Sequence, residues 1–179
     1  MLVPIALLLV AALVPLAGGR ISALADLRFA ALPLLGGALV VQLLIFEPGP
    51  ITGGPLWYVG LALSYALGFA FALRNRAIPF LWLVIVGGML NVAAIAANEG
   101  VMPADPGAAE TAGLTSGGRM ANSAVVGDAD LAFLGDIFAI PAGWPLSNVF
   151  SLGDILLVLG AGLMLHCVCG SRLLRAAAS

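Results

Sequence analysis

The chain has 179 residues, 62% of them hydrophobic and only 9% charged, with a formal net charge of −2 and a mean hydropathy of +1.14. Soluble domains carry roughly 45–50% apolar and about 25% charged residues, so this composition excludes a soluble enzyme, a nucleic-acid binder and a disordered chain. It points to an all-α, polytopic membrane helix bundle.

A helix needs about 20 mostly apolar residues to cross the hydrocarbon core. Five segments fit, at 2–18, 29–46, 56–73, 77–97 and 152–168, within a single membrane domain. The first ends in Leu16-Ala17-Gly18-Gly19, which is compatible with signal-peptide cleavage. It lacks a basic stretch ahead of the apolar run, so it reads as a retained helix. The second is interrupted only by Gln42, the fourth contains Asn91, and the fifth contains Asp154 and His166. Gly60–Gly68 and Gly160–Gly162 supply small-residue packing faces.

All basic residues are arginine. Arg20 and Arg28, Arg74 and Arg76, and Arg172 and Arg175 fall on one side of a five-span arrangement, and only Arg119 falls on the other. The positive-inside rule makes the arginine side cytoplasmic. The expectation is five transmembrane helices, N-terminus out and C-terminus in, multi-pass in a bacterial cytoplasmic membrane. Asp26 is the one acid on the inner side.

The outer loop Glu47–Pro55 is rich in Gly and Pro and reads as a turn or small flap. The outer segment 98–151 divides in two. Residues 102–120 are Ala, Gly, Pro, Ser and Thr with little to bury, and are expected to be mobile. Residues 131–150 are amphipathic and expected to lie on the outer interface, with Trp144 at headgroup level.

An acid inside a span is expensive and points to function, which singles out Asp154. The run Ser151-Leu152-Gly153-Asp154 also spells a capping box, in which the acid satisfies the helix start. Asp136, in Leu134-Gly135-Asp136-Ile137-Phe138, sits among apolar neighbours just before the last span. Two carboxyls at one poorly hydrated interface cannot easily both ionise, so one holds a proton. Such a dyad can activate water with one member and protonate a leaving group with the other. The alternative is that Asp136 caps a short interfacial helix. Asn91, deep in the fourth span, needs partners and is either interhelical glue or a substrate contact. Asn98 and Asn148, near the outer ends of the last two spans, either line the same pocket or cap and turn; Trp144 joins them as a candidate substrate contact. His166-Cys167-Val168-Cys169 cannot complete a tetrahedral metal site in a chain with one His and two Cys. No metal and no cofactor are expected.

The spans, with Asn98-Glu99-Gly100-Val101-Met102-Pro103 and Phe150-Ser151-Leu152-Gly153-Asp154, resemble a family of small bacterial integral membrane proteins defined only as a domain of unknown function. More distantly, spans two to five resemble lipoprotein signal peptidase (signal peptidase II), a membrane aspartyl peptidase. Gly135-Asp136-Ile137-Phe138 is similar to its first acidic string. Asn148–Asp154 is similar to the second, and Gly87-Gly88-Met89-Leu90-Asn91 to its glycine-asparagine string. The chain departs from that family after Asn91, where no Asp-Arg pair follows, and in the short first outer loop. The resemblance implies an aspartyl hydrolase at the outer interface with Asp136 and Asp154 as acid and base. Its substrate would be a lipid-linked or peptide group. The other function the residues allow is a non-enzymatic accessory subunit or lipid-binding protein, associated with membrane lipids or with a partner membrane subunit.

Overall fold

The structure is a computed structural model that describes residues 2–46, 54–114, 123–126 and 128–176. It is mostly helical with a few short strands. Five long helices are α1 (Leu2–Leu16), α2 (Leu32–Phe46), α3 (Pro55–Arg74), α4 (Leu81–Ala97) and α6 (Leu152–Val168). Between α4 and α6 lie β1 (Met102–Ala104), α5 (Pro106–Thr111), β2 (Ser123–Val125), β3 (Phe138–Ile140) and β4 (Asn148–Phe150). A short α7 (Arg172–Ala176) follows. The loop 47–53 and the arginine at 119 lie outside the described residues, so the turn expected at Glu47–Pro55 does too.

Helix ends follow local rules. Pro55 occupies the first turn of α3, where its missing N–H costs nothing. Ala31 and Phe80 take positive φ, 55° and 61°, and start α2 and α4 later than apolarity alone predicts. The helical cores are therefore shorter than the apolar runs at 29–46 and 77–97. Of the five, α3 alone, at 20 residues, is long and apolar enough by itself to cross a membrane. The expectation of five such helices narrows to one that meets the requirement on length and four shorter apolar helices of 15 to 17 residues.

The long helices pack in the order α2, α3, α4, α6, α1. The tightest pair is α4 with α6. A β-carbon at Gly87 would stand 2.6 Å from the Gly153 carbonyl oxygen and 2.8 Å from the Leu157 nitrogen. A β-carbon at Gly160 would stand 2.6 Å from Leu83 Cβ. The two backbones run antiparallel in near contact, which only glycine permits. Gly60 admits Ile45 of α2, and Gly162 admits Val10 of α1. A β-carbon at Gly68 would meet nothing within 4 Å, so Gly68 does not provide the close packing contact expected of it.

At one end the Arg20 N–H donates to the Cys169 carbonyl and the Arg172 N–H to the Ala17 carbonyl, both near 3 Å. Asn75 ties α3 to the entry of α2 by exchanging hydrogen bonds with the Ala30 backbone at 2.7 and 2.8 Å. Arg20, Arg28, Arg74, Arg76 and Arg172 all border helix termini at this end.

The opposite end carries a small polar cap. β1 pairs in parallel with β2, and Ala104 bridges to Asp136. β3 and β4 form an antiparallel hairpin, with Phe138 stacked on Phe150 at 5.5 Å. Asp105 caps α5 by accepting from the Ala108 N–H at 2.8 Å. Ala104, Ala108, Ala112 and Val149 form the cap's core, and Met102 and Leu134 pack on Ala94 of α4. Within 102–120, expected to have little to bury, small alanines do bury against one another through 104–112, and positions 115–120 lie outside the described residues.

Replacing Gly153 by Ala would force a β-carbon into the Asn91 carboxamide. Gly153→Ala and Gly87→Ala should each destabilise by about 1–3 kcal/mol. Gly36→Ala, facing open space, should be neutral or stabilising by up to about 1 kcal/mol. Thermal unfolding of the purified variants checks this, and equal losses at all three positions would contradict the close approach of α4 and α6.

Candidate functional site

The cap holds Asp136, and the start of α6, packed on α4, holds Asp154. Ser151 is the N-cap of α6, fully buried, and its hydroxyl accepts from the Asp154 N–H at 3.0 Å. The Asp154 carboxylate reaches back to the Ser151 N–H at 3.4 Å, which completes the capping box. Asn91 of α4 joins both. Its Nδ2 donates to Asp154 Oδ1 at 2.7 Å, and its Oδ1 accepts from the Ser151 hydroxyl at 2.7 Å. A single amide thus uses a donor and an acceptor on the two members of the box. Both its polar atoms are satisfied in the apolar bundle, as burial demands. Gly153 lets it in, because any side chain there would collide with it.

Asp136 approaches from the cap. It is 5% exposed, which is rare for an acid. Its backbone is held by two bonds: its N–H donates to the Pro103 carbonyl at 2.8 Å, and its carbonyl accepts from the Asp105 N–H at 3.1 Å. The Ser123 hydroxyl donates to its Oδ2 at 2.5 Å. Burial pushes the Asp136 carboxyl above the usual carboxylate range. The Ser123 hydrogen bond pulls it back in part, and the negative charge of Asp154 raises it further.

The other candidate contacts are held separately from these hydrogen bonds. Asn98 closes the end of α4. Its Nδ2 donates to the Ala94 and Asp130 carbonyls at 2.8 and 2.7 Å, and its Oδ1 accepts from the Asp130 N–H at 3.0 Å. These bonds are a helix cap and loop clamp. Asn148 sits in β4 opposite Ile140. Trp144 is 70% exposed in the hairpin's turn. Neither has a hydrogen bond to the acid cluster among the described residues. Ser123 is the partner that sequence reasoning missed; it lies in a short run of small residues with no local signal tying it to an acid 13 positions on. Among the described residues, no group of three His, Cys, Asp or Glu could hold a metal ion.

The chain belongs to a family of unknown function, DUF5317, whose model matches residues 26–166. Those residues span α2 through nearly all of α6 and include Asn91, Ser123, Asp136, Ser151 and Asp154. No curated protein and no solved structure matches the chain.

The raised Asp136 carboxyl has a consequence for stability. The folded chain keeps the Asp136 proton at pH values where the unfolded chain has lost it. Stability from this group therefore falls as pH rises from the ordinary carboxylate value through the raised one. Asp136→Asn should be more thermostable than the native chain at neutral pH, with the advantage shrinking toward pH 4. Ser123→Ala, which removes the lowering hydrogen bond, should extend the pH-dependent window upward. Melting temperature against pH for the three proteins tests this, and parallel curves would contradict the burial argument.

Proposed function

We propose that this is a multi-pass protein of the bacterial cytoplasmic membrane whose outer end works as an aspartyl hydrolase on a lipid-linked or peptide group. The membrane placement is supported by the outward faces of the long helices. Leu16 is 81% and Leu56 69% exposed, and Leu8, Leu43 and Trp82 are likewise exposed. No charged side chain lies within α1, α2 or α4. An apolar surface this continuous belongs in lipid or in an interface rather than in water. Helices of 15 to 17 residues extend only about 23–26 Å, short of the roughly 30 Å core. Apolar flanks such as 77–80 and 29–31, with local bilayer thinning, make up the difference. The arginine-bordered end then faces the cytoplasm and the polar cap faces outward, which gives five crossings with the N-terminus out.

The hydrolase reading rests on one observation: Asn91, Ser151 and Asp154 form a single hydrogen-bonded unit, with the buried Asp136 carboxyl within its electrostatic reach. The strings that resemble signal peptidase II, 87–91 and 134–165, supply this cluster. In the proposed reaction Asp154 takes a proton from a water, and the water oxygen attacks the scissile carbonyl carbon. Asp136, the member that burial keeps protonated, donates its proton to the leaving group as the bond breaks. Asn91 fixes the Asp154 oxygen that it holds. Exposed Trp144 suits an anchor at the headgroup level.

The test is cleavage by the purified chain in vesicles, against peptide reporters with and without a lipid anchor. Asp136→Asn and Asp154→Asn should each reduce cleavage by about 10²–10⁴-fold while folding is retained. Undiminished cleavage by Asp136→Asn would overturn the assignment. A second reading, an accessory or lipid-binding subunit, is favoured by the complete capping box, which gives Asp154 a structural task. It predicts no cleavage of any reporter, and an association with lipid or a partner subunit that survives the double Asn variant.

A further inference from the structure

A second site lies along the opposite side of α6. α1 and α6 run side by side, and a groove of about 490 Å³ opens between them. Its walls are apolar, with Leu2, Val10 and Leu13 from α1 and Ile155, Val158 and Leu159 from α6. Among its lining residues the polar ones are Asp154 at the cap end and His166 in the last turn of α6. Asp154 is already engaged by Asn91 and Ser151. His166 is not: it is 7% exposed, and its buried Nδ1 has no hydrogen-bond partner among the described residues. An unmet buried polar atom costs about 1–3 kcal/mol, so a partner from outside the chain would be stabilising. The positive charge nearby indicates what kind. Arg172 lies just past the end of α6, where its N–H donates to the Ala17 carbonyl at the end of α1 at 3.0 Å and its side chain lies against Gly18. This is the end at which the chain's arginines border the helix termini.

We infer that the α1–α6 groove holds one acyl chain of an anionic bilayer lipid, whose headgroup oxygens meet His166 and Arg172 at the arginine end. The walls match a hydrocarbon chain over most of the length of α6. The imidazole that lines the groove and the arginines that border its end suit an anionic headgroup, as in basic pockets between membrane helices that select charged lipids. The inference rests on the membrane placement proposed above but not on catalysis.

The test uses the full chain purified in detergent, exchanged against phosphatidylglycerol or phosphatidylcholine and analysed for retained lipid by native mass spectrometry. The native chain should retain one phosphatidylglycerol, roughly tenfold in preference to phosphatidylcholine, the weight of one charge-assisted hydrogen bond. His166→Leu should abolish that preference. Val158→Trp, and Val3→Trp from the other wall should the first misfold, should abolish retention of either lipid without lowering the melting temperature. Equal retention of both lipids by the native chain, or undiminished retention in both groove-filling variants, would overturn the inference. So would stabilisation by inorganic phosphate alone that matches that by lipid, since the site would then take a free anion. A chain that stays monodisperse without detergent fails the membrane placement. A detergent-dependent chain that keeps no lipid fails this inference alone.

Discussion

The arrangement depends on the near contact of two helix backbones. Where α4 passes α6, Gly87 and Gly153 remove the side chains that would otherwise hold the helices apart. Where helices meet through apolar faces with no water to squeeze out, close van der Waals packing and interhelical hydrogen bonds carry the association. The glycine contact provides the first and makes room for the second. Asn91 reaches across it to bind the start of α6, and its amide satisfies a hydroxyl and a carboxylate at once. Without the glycines the amide would have no access, and without the amide a half-buried acid would depend on the capping bond to Ser151 alone.

The cap depends on the same junction. It rests on Ala94 at the end of α4 through Met102 and Leu134, and β4 runs directly into Ser151. The position of Asp136 is thus tied to both helices through backbone bonds to Pro103 and Asp105. Its burial is unfavourable for an ionised carboxylate, and the single serine hydroxyl offsets only part of that cost. A chain selected for stability alone would place an amide or an apolar residue there. A carboxyl raised by burial occurs both at proton-transfer sites and in structural networks.

Much of this is legible in the sequence, for definite reasons. The five apolar runs stand out because charge is nearly absent from them, and the Ser151–Asp154 box is a contiguous four-residue signal read as the cap that the structure contains. Asp136 is flagged by its apolar neighbours, and it is buried. Local signals failed where the outcome depends on distant partners. Asn91 declares its need for a partner but not that the partner is Asp154, 63 residues on. Asn98, at a helix end, is open from sequence to either a pocket or a cap-and-turn role, and only the distant Asp130 backbone that its amide bonds decides for the second. The alanine-rich segment after Met102 seems to have nothing to bury, because one alanine buries little area. A core forms only when Ala104, Ala108 and Ala112 meet one another and Val149. Apolarity also overran the helices at Ala31 and Phe80, where the backbone turns to positive φ inside an unbroken hydrophobic string.

α6 carries two different polar tasks on one apolar rod. At its N-terminus the positive end of the helix dipole favours a carboxylate, and Asp154 sits there under restraint from Asn91 and Ser151. In its last turn the carbonyl end favours a cation-capable group, and His166 sits there with Ser171 bonded to its carbonyl at 2.9 Å. The helix polarity therefore sorts the two ionisable groups to opposite ends before any partner acts. The packing then treats them differently. The α4 contact saturates the acid end, whereas α1 touches the other face at Val10 and at the Ala17–Arg20 segment and leaves a channel between. A saturated end suits chemistry that needs fixed atoms. An end with an unpartnered imidazole nitrogen, close to the arginine-bordered helix termini, suits a ligand that supplies what the fold omits, and the apolar channel along α6 restricts that ligand to one with a long hydrocarbon part.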